Sequence, residues 1–454
     1  MRFPDGFVFG CATASYQIEG AAYEDGKGLS VWDMFCRKGG TVWQGQNGDV
    51  ACDHYHRYRE DVGIMKQIGL KGYRFSLSWP RIIPEGTGAV NEAGLGFYDR
   101  LVDELLAAGV EPFVTLFHWD YPYELYCRGG WLNPSSPDWF ADYARVVVER
   151  LSDRVRHWMT LNEPQCFIGL GHYTGKHAPG DQRGLAEVLR AAHHSLLAHG
   201  KAVQVIRAHA KTKSVIGFAP VGAPRMPASD DPADIEAARQ AMFAVNGQDL
   251  WANAFWMDPV FLGQYPPDAL SHFGSLMPKI GGSDLATIAQ PLDFFGVNTY
   301  SGSFVKAGAD GKPESVGLPL GHPITAFKWW VTPEALYWGP RFFYERYRLP
   351  VIITENGMSD TDWVGLDGGV HDATRVDYLH RHLLQLARAM QDGVDVRGYF
   401  LWTLMDNFEW AEGVKERFGI VYTDFVTQQR VLKDSAYWYK EVIATRGEAL
   451  GEPR

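Results

Sequence analysis

Apolar positions along this chain follow two alternating rhythms. Short runs that are apolar at nearly every residue occur at 7–14, 72–79, 111–119, 157–163, 214–219, 293–300, 351–355 and 398–405. Near-continuous hydrophobicity, rather than strict alternation, suits parallel strands covered on both faces. Between these runs, apolar residues recur every three or four positions, at 55–68, 95–108, 137–151, 184–210, 333–348 and 374–392. The first of these stretches puts Tyr58, Val62 and Met65 on one helical stripe, and the second stops at Gly109, a common helix terminator. Eight strands with helices between them predict an α/β fold, a (β/α)8 barrel with long βα loops, forming a single domain over 1–454.

A minimal barrel of this kind takes about 250 residues, leaving roughly 200 for loops and extra helices. The surplus falls at 20–50, 119–136, 164–183, 221–290, 301–332 and 356–373, mostly after strands. In this fold those loops build the functional face. The residues to read are therefore the ones at strand ends: Gln17, Arg74 and Trp79, His118, Asn162 and Glu163, Asn298 and Tyr300, Glu355, then Trp402, Glu409 and Trp410. Two of them stand out. Glu163 and Glu355 each end an apolar run in a turn, so a barrel brings both to one rim. Paired carboxylates are the minimum equipment for breaking a glycosidic bond. The remaining amides, imidazole and indoles match the mixed donors, acceptors and flat apolar faces that a sugar requires.

Composition narrows the partners. A net charge of −11 argues against nucleic acid and against an anionic membrane surface. No apolar stretch approaches transmembrane length. The apolar run near the N-terminus is too short for a secretory leader and follows Asp5. Five scattered cysteines without a Cys-x-x-Cys pair suggest reduced thiols and a cytoplasmic setting. There is no P-loop, no dinucleotide glycine pattern and no His-Glu-x-x-His, so neither cofactor nor metal is expected. Cys166, just after Glu163, reads as a small space-filler. Oligomeric state is left open, a homo-oligomer included.

The motifs resemble glycoside hydrolase family 1, the β-glucosidase and β-galactosidase group, from about Phe7 to about Phe425. The segment from Phe9 to Gly20 is similar to that family's N-terminal signature. Thr160-Leu161-Asn162-Glu163-Pro164 is similar to its acid/base motif, and Ile353-Thr354-Glu355-Asn356-Gly357 to its nucleophile motif. The resemblance implies that Glu355 is the nucleophile and Glu163 the general acid and then base of a retaining exo-β-glycosidase, acting on small soluble β-glucosides or oligosaccharides such as cellobiose. It implies that Arg74 and Tyr300 hold Glu355, that Asn162 meets the sugar 2-hydroxyl, and that Gln17, His118, Glu409 and Trp410 hold the other hydroxyls, with Trp402 under the ring. Asn298 and Phe418 join the substrate-binding set. Trp329 resembles the aglycone platform, with Trp330 as its rival. Galactosides and fucosides are compatible with Glu409. A 6-phospho-β-glycosidase is disfavoured because Glu409 stands where those relatives carry a small polar residue. An inactive sugar-binding relative or a thioglucosidase is disfavoured because both glutamates are present.

Overall fold

In a computed structural model, which describes residues 2–247 and 250–451, eight strands form a closed parallel barrel. They are β1 (Val8–Ala12), β2 (Gly72–Ser76), β3 (Glu111–Phe117), β4 (His157–Asn162), β5 (Val215–Ala219), β6 (Phe294–Asn298), β7 (Val351–Asn356) and β8 (Val396–Trp402). Each pairs with its neighbour in sequence, and β8 closes on β1 with Val8 opposite Gly398 and Ala12 opposite Trp402. The principal helices between and after them are α1 (His54–Ile68), α2 (Glu92–Ala107), α3 (Ser136–Leu151), α4 (Leu185–His209), α5 (Asn253–Phe261), α6 (Ala335–Tyr347), α7 (Ala373–Gln391) and α8 (Asp434–Ala444).

The near-continuous apolar runs are explained by burial on both faces. In β2 and β7 every residue is buried, polar ones included. The helices show one-sided burial: α3 turns Phe140, Tyr143, Ala144, Val147, Val148 and Leu151 inward. Helix α1 ends at Gly69, whose φ of +86° is the left-handed conformation that glycine adopts without a Cβ penalty.

The strands stop sooner than the apolar pattern suggests. The run at 72–79 gives only Gly72–Ser76 as strand, and Trp79–Ile82 is a short helix with Pro80 in its first turn. Proline fits a helix start and cannot donate to a sheet ladder. Trp79 accordingly leaves the rim: it is fully buried, and its indole donates to the Gly86 carbonyl at 3.0 Å. The surplus loops are also more structured than loops. They contain a helix at Pro232–Phe243, a π-helical stretch at Gln165–Tyr173 and a three-stranded sheet built from Arg225–Pro227, Ser303–Ala307 and Pro313–Val316.

Three register irregularities lie at the functional rim, one of them in the β7–β8 ladder between Ile353 and Asn356. The β6–β7 ladder slips after Ile353, so that Glu355 stands beside Asn298. The β4–β5 ladder slips between Met159 and Asn162, and the next residue, Glu163, donates its backbone N–H to Ala219 at 2.9 Å. Bulges of this kind re-aim side chains next to functional sites.

Candidate active site

At the C-terminal ends of the strands lies a cavity of about 280 Å3. Its lining includes Glu163 just beyond β4, Glu355 from β7, Tyr300 beyond β6, His118 and Trp119 beyond β3, and Trp402, Glu409, Trp410 and Phe418 from β8 and the segment after it. Residues remote in sequence meet here because a closed parallel barrel carries all its strand ends to one face.

The two glutamates have different surroundings. Arg74 Nη1 donates to Glu355 Oε1 at 2.6 Å, and the Tyr300 hydroxyl donates to Glu355 Oε2 at 2.6 Å. Among the described residues, no cation forms an ion pair with Glu163. Its Oε1 accepts from Asn298 Nδ2 at 2.8 Å, and its Oε2 accepts from the Cys166 thiol at 3.2 Å. Burial, and then the charge of Glu355, pushes the Glu163 carboxyl up to about 8. Burial raises Glu355 as well, but the Arg74 guanidinium and the Tyr300 hydroxyl oppose that rise. When the two share one proton, the negative charge rests on Glu355 beside its arginine and the proton rests on Glu163.

Behind the carboxylates runs a continuous polar layer. Asn162 Oδ1 accepts from Arg74 Nη2 at 2.6 Å and from Asn298 Nδ2 at 2.9 Å. Thr354 donates to Asn298 Oδ1 at 2.6 Å. Asn298, expected to touch substrate, is thus engaged at both ends of its amide and is not among the residues lining the cavity; its geometry is that of a brace for Glu163. Asn162 and Gln17, both fully buried, are likewise not among the lining residues. Gln17 Nε2 donates to the Phe408 carbonyl at 2.9 Å and to Glu409 Oε2 at 3.3 Å, while its Oε1 is buried without a partner among the described residues.

His118 also has one unpaired ring nitrogen. Asn162 Nδ2 donates to His118 Nε2 at 3.0 Å, which assigns the ring proton to Nδ1, and Nδ1 is buried without a partner among the described residues. Burial, and then Arg74, lowers this imidazole's pKa well below the usual range, so the ring is neutral. A donor on His118 and an acceptor on Gln17 are groups of the kind that ligand hydroxyls, able to donate and accept, satisfy.

The cavity walls are aromatic. The rings of His118 and Trp402 lie 5.7 Å apart at 23°, and Trp410 packs on Trp119 at 4.5 Å. Around the mouth, Trp329 contacts Tyr300, Phe327 and Phe418 at 4.9, 4.5 and 6.0 Å. Between the two candidates for the outer platform, the structure places Trp329 in the lining and leaves Trp330 outside it, 46% exposed. Trp119, Cys166, His177 and Phe327 also line the cavity and were not singled out as site residues from the sequence. Only the position of Trp119 beside His118 at a strand end could have flagged it.

Three non-glycine residues at the cavity have left-handed backbone: Trp119 at φ +80°, Glu163 at +47° and Trp410 at +51°. Such conformations cost of order 1–3 kcal/mol each and persist only where the surroundings hold them. Gly357 serves the same rim, since a Cβ there would lie 1.8 Å from the Trp402 carbonyl oxygen.

The segment that carries Glu409, Trp410 and Phe418 is held by a buried ionic cluster. Asp406 pairs with Lys433 and with Arg417, each at 2.7 Å, and accepts the Gly419 N–H at 3.0 Å. Asp362 pairs with Lys433 at 2.5 Å and Arg375 at 2.7 Å, and Arg375 also pairs with Asp372. Three carboxylates face three cations, so the cluster is internally neutral. Among the described residues, no group of three or more His, Cys, Asp or Glu side chains is arranged for a metal ion, and no helix is long and apolar enough to cross a membrane.

Comparison with known proteins agrees with this geometry. Residues 1–448 match the profile of Glycosyl hydrolase family 1. Beta-glucosidase A of Thermotoga maritima is 46% identical over 447 residues, covering 98% of each chain. A bifunctional beta-D-glucosidase/beta-D-fucosidase of Bifidobacterium breve is 41% identical over 468 residues, again covering 98% of each. The structure of the Thermotoga maritima beta-glucosidase in complex with glucoimidazole superposes with a TM-score of 0.90 at 46% identity, over 98% of this chain and 99% of that one.

Proposed function

Because the chain belongs to glycosyl hydrolase family 1, we propose that it is a β-glucosidase that removes terminal non-reducing β-D-glucosyl residues by double displacement. Glu355 attacks the anomeric carbon while Glu163 protonates the departing oxygen. Once Glu355 is esterified its charge is gone, the electrostatic push on Glu163 is relieved, and Glu163 accepts a proton from the incoming water. The observation that carries this reading is the asymmetry of the pair: Arg74 and Tyr300 hydrogen-bond to Glu355, whereas among the described residues Glu163 has no ion pair.

The sugar would occupy the closed end, against Trp402 and Trp410. The unpaired His118 Nδ1 and Gln17 Oε1, together with Glu409, would meet its hydroxyls. Asn162 would approach the 2-hydroxyl, and the leaving group would lie against Trp329 and Phe418. Acceptance of β-fucosides and β-galactosides is supported by the bifunctional relative and by the ability of Glu409 to serve an axial or equatorial hydroxyl. Phosphorylated sugars are disfavoured. Among the described residues, the lining holds no lysine or arginine, and nearby Lys415 is paired with Glu412. The family match across residues 1–448 supports treating the chain as one catalytic unit. Five unpaired cysteines, four of them buried, support a reducing, cytoplasmic location.

Proton NMR during hydrolysis of p-nitrophenyl β-D-glucoside tests the reading. β-Glucose should appear first and mutarotate afterwards; α-glucose as the first product would overturn double displacement.

A further inference from the structure

We propose that Cys166 is a positioning residue for the proton carried by Glu163, its thiol holding the Oε2 edge of the carboxyl while the Asn298 amide holds Oε1. The proposal rests on the reading of Glu163 as acid/base. Cys166 is the second residue of the π-helical stretch, which opens at Gln165 straight after Glu163-Pro164, and its backbone N–H donates to the Glu163 carbonyl at 2.9 Å. That turn brings Sγ to 3.2 Å from Oε2, inside the cavity lining. Space-filling alone does not require this contact.

The two partners are unequal. An amide N–H at 2.8 Å is a full donor that cannot accept, so it lowers the proton affinity of Oε1. A thiol is a weak donor and also a weak acceptor, so Oε2 remains the more basic oxygen and carries the transferable proton. Burial, and then the charge of Glu163, keeps Cys166 well above the usual thiol range. The group therefore stays a neutral S–H and does not act as a nucleophile. The charged and titratable groups acting on Glu163 are Glu355 on β7, Arg74 on β2, Tyr300 beyond β6 and Glu409 beyond β8. Among the described residues, Asn298 and Cys166 are its side-chain hydrogen-bond partners.

The test is the kcat/KM–pH profile of the full chain and of Cys166→Ala, Cys166→Val and Cys166→Ser, with p-nitrophenyl β-D-glucoside. Removing the donor should shift the high-pH limb upward by about 0.5 in both the alanine and the valine variant. Serine restores a donor and should leave the limb at or below its original place. Valine restores most of the volume, so a shift shared by alanine and valine is not a cavity effect. If serine and alanine move the limb alike, or none of the variants moves it, the proposal is overturned. Glu163→Gln assayed with 2,4-dinitrophenyl β-D-glucoside separates this failure from failure of the underlying assignment. A high-pH limb that survives in Glu163→Gln removes the acid/base role itself. A limb lost there but unmoved by the Cys166 variants removes only the role of the thiol.

Discussion

Arg74 and Glu355 form a buried ion pair, with Nη1 2.6 Å from Oε1 and 1% and 4% of the two side chains exposed. A charge this enclosed depends on its partner, and breaking such a pair on one side leaves the other uncompensated. Replacing Arg74 by methionine should therefore make Glu355 harder to ionise. The low-pH limb of kcat/KM should move toward neutrality, and activity at the optimum should fall by about 100-fold or more. An unchanged limb would detach Arg74 from the ionisation of Glu355.

The wild-type profile should be bell-shaped. Glu163 must hold its proton, so activity falls as pH rises through a pKa near 8. Glu355 must be ionised, so activity falls as pH drops through a pKa raised above the ordinary 4.5. Initial rates across pH 4 to 10 would show both limbs.

Replacing Glu163 by alanine should slow cellobiose by about 100- to 10,000-fold, the usual worth of a general acid. It should slow the formation of the glycosyl-enzyme from 2,4-dinitrophenyl glucoside much less, because that leaving group needs no proton. Added azide should then speed turnover and give β-glucosyl azide, since it attacks without a general base. Glu355→Ala should abolish turnover of both substrates.

The same carboxyl weakens the fold at high pH. A Glu whose folded pKa is raised binds its proton more tightly when folded than when unfolded. Its stability contribution is fully present below the unfolded value and is lost as pH climbs toward about 8. Glu163→Gln should therefore leave Tm nearly unchanged at pH 4 and raise it progressively toward pH 8. Calorimetry at both pH values checks the sign.

Lys433 sits between Asp406 and Asp362 with no solvent exposure. Lys433→Met leaves a buried cluster with one carboxylate too many and should cost about 3–5 kcal/mol, read as a lower denaturant midpoint. Because Asp406 anchors the Glu409–Phe418 segment, KM for the glucoside should rise as well.

The barrel was legible in the sequence because strands buried on both faces and helices buried on one leave different hydrophobic periods. Boundaries were less so. Apolar character continues past the last ladder bond at Ser76 into Trp79, where only Pro80 signals the change to helix. The glutamates were readable since each ends an apolar run. The division between cavity lining and support was not. Asn162, Asn298 and Gln17 occupy motif positions like those of His118 and Glu409, and only three-dimensional hydrogen bonding shows that Asn298 is used up on Glu163, Asn162 and Thr354. Cys166 was readable as small and apolar, but its contact with the carboxylate depends on a π-helical turn that no spacing rule announces.

The contorted main chain at Trp119, Glu163 and Trp410 is a shape that the surrounding barrel end must hold. Docking then finds a finished mould, with little loop ordering left to oppose affinity. Empty and occupied forms should superpose to within about 1 Å around the rim, and turnover should be paced by bond chemistry or product departure rather than by closure of a flap.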